Sequence, residues 1–212
     1  MRQDTTTTGK VFISMQVPDK YKRKFTKDEI NELPLRQYEG PIRLIDTEEE
    51  VPEAIEALCQ CRLLGFDTET RPVFRKGVSY PPSLIQLATD DCVYLLHLNH
   101  ISLSDYIKNL LASAEIIKTG VAVINDVKEL RQVSSFEGKG FVDLGDLARS
   151  LEMQTNGLRN LAANLLGFRI SKGVQCSNWG RQELTPQQIT YAATDAWVSR
   201  EIYLKFQDLG VL

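Results

Sequence analysis

Long apolar runs are missing from these 212 residues. No stretch approaches the ~18 consecutive apolar residues of a membrane span, so no membrane partner is expected. The opening MRQDTTTTGK has no apolar core of the kind a secretory signal needs, and no signal peptide is expected. Cysteine is sparse. Cys59, Cys61, Cys92 and Cys176 form neither a CxxC pair nor a CxxC…HxxxH spacing. That pattern argues against a zinc site or a disulfide framework and points to reduced thiols and a cytoplasmic location. A strong excess of one charge is missing too, the net value being −3. The total therefore implies no polyanion partner, although acids gathered at one site would cancel basic residues on a neighbouring lip. Internal repeats and a linker between two domains are also absent.

What is present reads as one globular domain of ordinary size, with 42 % apolar and 25 % charged residues. Residues 1–40 differ from the rest, with a threonine run, the basic YKRKFTK and a short helix expected at Thr26–Leu33, stopped by Pro34. They are expected to form an extension, partly disordered or packed on the domain, and residues 41–212 the domain itself. Ile42–Ile45 predicts a strand, Glu48–Cys61 a helix capped by Thr47, and Leu63–Asp67 a second strand. Ser83–Ala88 and Cys92–Leu98 are two more, joined too tightly for a crossover and hence antiparallel.

Alternating elements follow: helix Leu103–Ser113, strand Ile116–Val123, helix Asp126–Ser134 with Asn125 as N-cap, strand Phe141–Leu144, and helices Gly145–Glu152 and Leu158–Leu166. The last helix, to about Leu209, carries the clearest signals, with Thr185 as N-cap, Pro186 at the first position and Gln188 completing a capping box. Antiparallel strands first and βα units later predict an α/β fold with a mixed central sheet and helices on its faces.

Three places hold acids where apolar packing is expected. In LLGFDTET, alternation puts Asp67 and Glu69 on one face, about 7 Å apart along the strand. Two bare carboxylates so placed must protonate or hold a cation, unless the strand has already ended and water reaches both. Asp126 follows a second apolar stretch, in the first turn of a helix, where the helix dipole alone would also favour it. In YAATDA, Tyr191 and Asp195 are four apart on one helix face among small residues suited to close approach. Brought together, four carboxylates make an oxygen-donor site for Mg²⁺ or Mn²⁺. Two such ions ~4 Å apart clamp the attacking and leaving oxygens of phosphoryl transfer.

With these residues the chain resembles the DEDD superfamily of 3′→5′ exonucleases in its tyrosine-containing branch, the ribonuclease D and Werner-type exonuclease group. The first motif matches at FDTET, the second at KTGVAVINDVKEL and the third at LTPQQITYAATDA, with CSNWGRQELT before it also similar. The resemblance spans roughly residues 42–209 and leaves out residues 1–40. It implies a ribonuclease H-like fold, two divalent metal ions and removal of nucleotides from the 3′ end of a DNA or RNA strand. It further implies that Asp67 bridges both ions, that Glu69 and Asp195 hold the ion activating water, that Asp126 holds the other through water, and that Tyr191 orients the water. Some relatives carry a polar residue four positions before the second-motif Asp. Here it is Ala122, so grip on the last nucleotide is expected elsewhere, with Thr68 and Thr70 near it.

Two basic stretches are candidate lips for the strand. RPVFRKGVSYPP holds Arg71, Arg75 and Lys76 with Phe74 and Tyr80, a mixture that suits phosphates and bases. Arg169, Lys172, Trp179 and Arg181 precede the last helix, with Trp179 readable instead as a core anchor. Two other readings compete. A DxDxT phosphatase wants Asp at position 69 and a late GDxxxD, but Gly145-Asp146 is followed by Ser150 where the second Asp belongs. A nuclease-fold module that only binds nucleic acid or protein is at odds with the presence of all five catalytic side chains.

Overall fold

The computed structural model describes residues 17–73 and 77–212. A 3₁₀ turn at Asp19–Tyr21 leads to helix α1 (Lys27–Glu32). Thr26 and Glu29 close a reciprocal cap there, each side chain accepting from the other's backbone N–H, at 3.2 and 2.7 Å. Strand β1 (Ile42–Ile45) is followed by a 3₁₀ turn at Glu48–Glu50 and helix α2 (Val51–Cys59). Then come β2 (Leu63–Thr70), β3 (Pro82–Ala88), β4 (Val93–His97), α3 (Asp105–Ala112), β5 (Ile117–Gly120), α4 (Val123–Val133) and β6 (Phe141–Asp143). Helix α5 (Leu144–Ser150) precedes α6 (Leu158–Leu161), which widens into a π turn at Ala162–Leu166, and α7 (Pro186–Asp208) ends the fold.

The strands form one sheet in the order β1-β4-β3-β2-β5-β6. β3 runs against both neighbours, and the other pairs are parallel. The mixed sheet expected from the sequence is therefore present. Strand alternation splits the core. Phe66, Ile85, Leu87 and Leu96 pack with α2 and α3, whereas Leu84, Ala88 and Leu95 pack with Ala192, Ala193 and Ala196 of α7. Small residues let α7 lie close to the sheet. At Gly65 of β2 a side chain would run into the Ala196 carbonyl. Lys118 of β5 is fully buried, and its Nζ donates to the Ser113 and Leu110 carbonyls at 2.6 and 3.3 Å, closing the end of α3.

Several boundaries differ from the sequence expectation, four of them for a clear physical reason. β2 continues to Thr70 instead of ending at Asp67, because its ladder with β3 persists through Glu69↔Leu84. β5 stops at Gly120 rather than Val123, and α4 starts at Val123 rather than Asp126. The apolar GVAVI suits either period, but Val123, Val127 and Leu130 bury one helical face, and Ala122 rather than Asn125 occupies the N-cap. Ala122 adopts φ 61°, the left-handed region, to make the turn. α6 is cut short by the π turn, which ends at Gly167 with φ 74°.

Residues 17–40 lie along the domain. Val17 and Ile30 are buried. The Arg23 carbonyl accepts from Asn164 Nδ2 at 2.8 Å, and a parallel bridge joins Leu35 to Arg169. The threonine run at 5–8 falls outside the described residues.

Candidate functional site

β2 delivers two acids to the α7 side of the sheet. Its irregular register between Glu69 and Thr70 marks a bulge at the end of the strand, a common device for re-aiming side chains. Asp67 Oδ1 accepts from the Thr68 backbone N–H at 2.8 Å. Thr68 Oγ1 donates to Asp126 Oδ1 at 2.6 Å, which ties the first turn of α4 to β2. Thr70 Oγ1 lies 3.5 Å from Glu129 Oε2 on the same helix. From α7, Tyr191 and Asp195 enter the same place, 8 % and 6 % exposed.

The electrostatics of these side chains are mutual. Loss of water and the neighbouring Asp195 and Asp126 push the Asp67 carboxyl well above its usual range. Glu69 is pushed up to about 10, by burial first and then by Asp67, Asp195 and Asp126. Asp126 is raised to about 6, mainly by burial, with the Thr68 hydrogen bond opposing. Asp195 is raised to about 7 by burial, with Tyr191 opposing. Burial, Asp195, Glu69 and Asp67 hold the Tyr191 phenol above its ordinary value, so it stays protonated. Among the described residues no Lys or Arg forms an ion pair with any of the four acids.

Such a donor set suits hard divalent cations. It is all carboxylate, and among the described residues its repulsion is not relieved by an ion pair. Among the described residues no three of these groups stand drawn together in ligating contact. The fit thus rests on donor chemistry and convergence, and the carboxylates would have to close on an ion.

A cleft of about 320 Å³ opens over Asp67, Tyr191 and Asp195. Lys172, named as a lip residue, lines it. Arg159, Asn160 and Gln175 line it too, and no motif or periodicity marks those three in the sequence. A second hollow of about 380 Å³ shares Ser171, Tyr191 and Asp195 and is walled by Leu35, Arg36 and Gln37 from the N-terminal segment.

The lips differ from expectation in part. The Arg71 guanidinium lies 4.7 Å from the Tyr80 ring centroid, and its side chain packs on Gly180, joining the loop after β2 to the loop before α7. Arg181 is exposed. Trp179 is not at the lip. It is fully buried, donates from Nε1 to the Gln175 carbonyl at 3.2 Å, and its ring centroid is 6.1 Å from that of Tyr191. A large indole behind the Tyr191 phenol buries more apolar surface than one on a wet rim. Arg169 also leaves the lip, donating to the Leu33 carbonyl at 3.1 Å. Phe74, Arg75 and Lys76 lie outside the described residues.

Residues 42–210 match the family model described as 3′-5′ exonuclease. The mouse bifunctional 3′-5′ exonuclease/ATP-dependent helicase WRN is 33 % identical over 154 residues, 70 % of this chain and 11 % of that protein. The crystal structure of the Aedes aegypti Nibbler EXO domain is 26 % identical with a TM-score of 0.74, covering 83 % of this chain and 91 % of that one. Trypanosoma brucei RNase D in complex with RNA U12 shares the fold at 21 % identity and a TM-score of 0.68, covering 81 % and 62 % of the two chains. The sheet order and α7 packing thus belong to a ribonuclease H-like exonuclease fold. The chain spans 11 % to 27 % of the length of the first curated relatives it matches.

Proposed function

The chain belongs to the 3′-5′ exonuclease domain family, and from that premise we propose that it hydrolyses nucleic acid from the 3′ end, one nucleotide at a time. The observation that carries this reading is that Asp67 and Asp195 line one cleft with Tyr191, while Asp126 and Asp195 lie close enough to raise the Asp67 carboxyl, and all three to raise that of Glu69. Those four side chains would hold two divalent cations. When bound, Mg²⁺ or Mn²⁺ neutralises the phosphoryl group and lowers the pKa of water.

The remaining work falls to the chain itself. Tyr191, protonated and fixed on α7, offers a hydroxyl beside Asp195 that orients the attacking water. The water oxygen bonds to the terminal phosphorus as its proton passes to solvent, the bond from that phosphorus to the preceding 3′ oxygen breaks, that oxygen takes up a proton from solvent, and a nucleoside 5′-monophosphate leaves. Lys172 and Arg159, on the cleft wall, meet the phosphates of the strand. Thr68 holds Asp126 in place, and Trp179 supports the ring of Tyr191. Trypanosoma brucei RNase D bound to RNA supports a nucleic-acid partner for the same fold.

The test is a time course on 5′-labelled DNA and RNA strands with Mg²⁺ or Mn²⁺. Expected are 3′-shortened ladders, no activity in EDTA, and loss of several orders of magnitude in Asp67→Ala. Full activity of Asp67→Ala, or cutting of a circular strand, contradicts the assignment. Binding without any metal-dependent cleavage supports the binding-module reading instead.

A further inference from the structure

Gln86 carries a carboxamide without a partner. It sits in the middle of β3, fully buried, and neither Nε2 nor Oε1 makes a hydrogen bond. Among the described residues no other side chain has two such atoms, and no other residue on a strand has one. Buried polar groups are nearly always paired, so an orphaned amide in the central sheet needs a reason.

Its place supplies one. Across the β2–β3 ladder the partner of Gln86 is Asp67. Directly opposed residues of antiparallel strands share a face, with Cβ atoms roughly 4.5–5.5 Å apart. That face is the α7 face. Leu84 and Ala88, two residues to either side, pack with Tyr191 and Ala196, whereas Ile85 and Leu87 pack with the opposite layer. Across the other ladder stands Leu95, which has no polar side-chain atom. The opposed carboxylate of Asp67 is therefore a polar group within natural reach of the amide across the ladder. Asp67 Oδ1 already accepts from the Thr68 N–H, and among the described residues Oδ2 accepts no hydrogen bond.

We propose that Gln86 is a positioning residue for Asp67, its amide N–H donating to the free carboxylate oxygen when the site is loaded, so that the carboxylate is aimed at the cation. This rests on the reading that the four acids hold divalent ions. An amide suits the task because it donates without adding a charge that would repel an ion or compete with it. Outer-shell partners of this kind typically contribute ~10–100-fold in metal affinity.

The test is calorimetric titration of the full chain with Mn²⁺, wild type beside Gln86→Met, which keeps the volume and removes the amide. The metal-free melting temperature is expected to hold or rise, since an unpaired polar group has left the core, while Mn²⁺ affinity falls ~10–100-fold. Unchanged affinity overturns the role of Gln86 and leaves the metal site standing. Wild-type protein that binds no Mn²⁺ overturns the site itself. A second measurement needs no variant. The side-chain ¹⁵N–¹H₂ resonances of Gln86 are followed during Mg²⁺ titration of the wild type. They are expected to shift and saturate with ion binding, and resonances that stay fixed while the ion binds overturn the proposal.

Discussion

At Tyr191 a single oxygen separates packing from chemistry. The ring sits against Trp179, and burial together with Asp195, Glu69 and Asp67 holds the hydroxyl protonated, so it acts as a donor and not as a base. Tyr191→Phe keeps the ring. Water-orienting groups contribute about 10²–10⁴-fold, and the single-turnover rate at saturating Mn²⁺ is expected to fall by that much, with Mn²⁺ affinity and melting temperature nearly unchanged. A rate equal to wild type removes the hydroxyl from the mechanism. The candidate acids were legible in the sequence because each stands where apolar packing is expected, after a buried strand or among alanines. Gln86 was not, because a lone polar residue in SLIQLA reads as ordinary strand alternation. Arg159 and Asn160 were not, because their part in the cleft depends on where α6 docks. Trp179 was named both at the lip and as a core anchor, and the core reading holds; a tryptophan beside arginine looks the same in sequence whether its ring faces a base or a core.

Element by element, the strongest local signals gave the firmest boundaries. The Thr185 capping box, Pro186 and Gly210 frame α7 within a residue or two of expectation. The weakest stretch was GVAVIND, where valines and isoleucine satisfy both a strand and a helix. Tertiary packing decides there, burying Val123 and Leu130 and forcing the turn through Ala122 at φ 61°. An alanine in the left-handed region costs roughly 1–2 kcal/mol, whereas asparagine tolerates that region several-fold better. Ala122 is exposed, so a larger side chain meets no wall. Ala122→Asn is therefore expected to stabilise the protein by roughly 0.5–1 kcal/mol, a rise of about 1–4 °C in melting temperature for a chain of this size. A lowered melting temperature would show that the turn does not carry this strain.

Across the whole molecule, stability and function pull against each other at one end of the sheet. The fold gathers Asp126, Asp195 and Glu69 at raised pKa values of about 6, 7 and 10, and among the described residues none of them is in an ion pair with a cationic side chain. The sign of the consequence is fixed by linkage. Below about pH 3 both folded and unfolded chains keep these groups protonated, and they contribute nothing. As pH rises, the unfolded chain releases its protons first while the folded chain retains them, so folding weakens through pH 6–7 for Asp126 and Asp195 and further toward 10 for Glu69. Each group titrating in that window costs at most about 1.4 kcal/mol per pH unit. In EDTA the melting temperature is therefore expected to fall between pH 5 and pH 8. A divalent ion binds the ionised form, so Mg²⁺ should restore the loss, and its stabilising increment should grow over the same range as protons cease to compete. Melting curves at three pH values, each with EDTA and with Mg²⁺, decide it. A flat EDTA series together with a pH-independent Mg²⁺ increment would mean that the four acids are already compensated within the fold, and the cleft would then lose its claim to a cation.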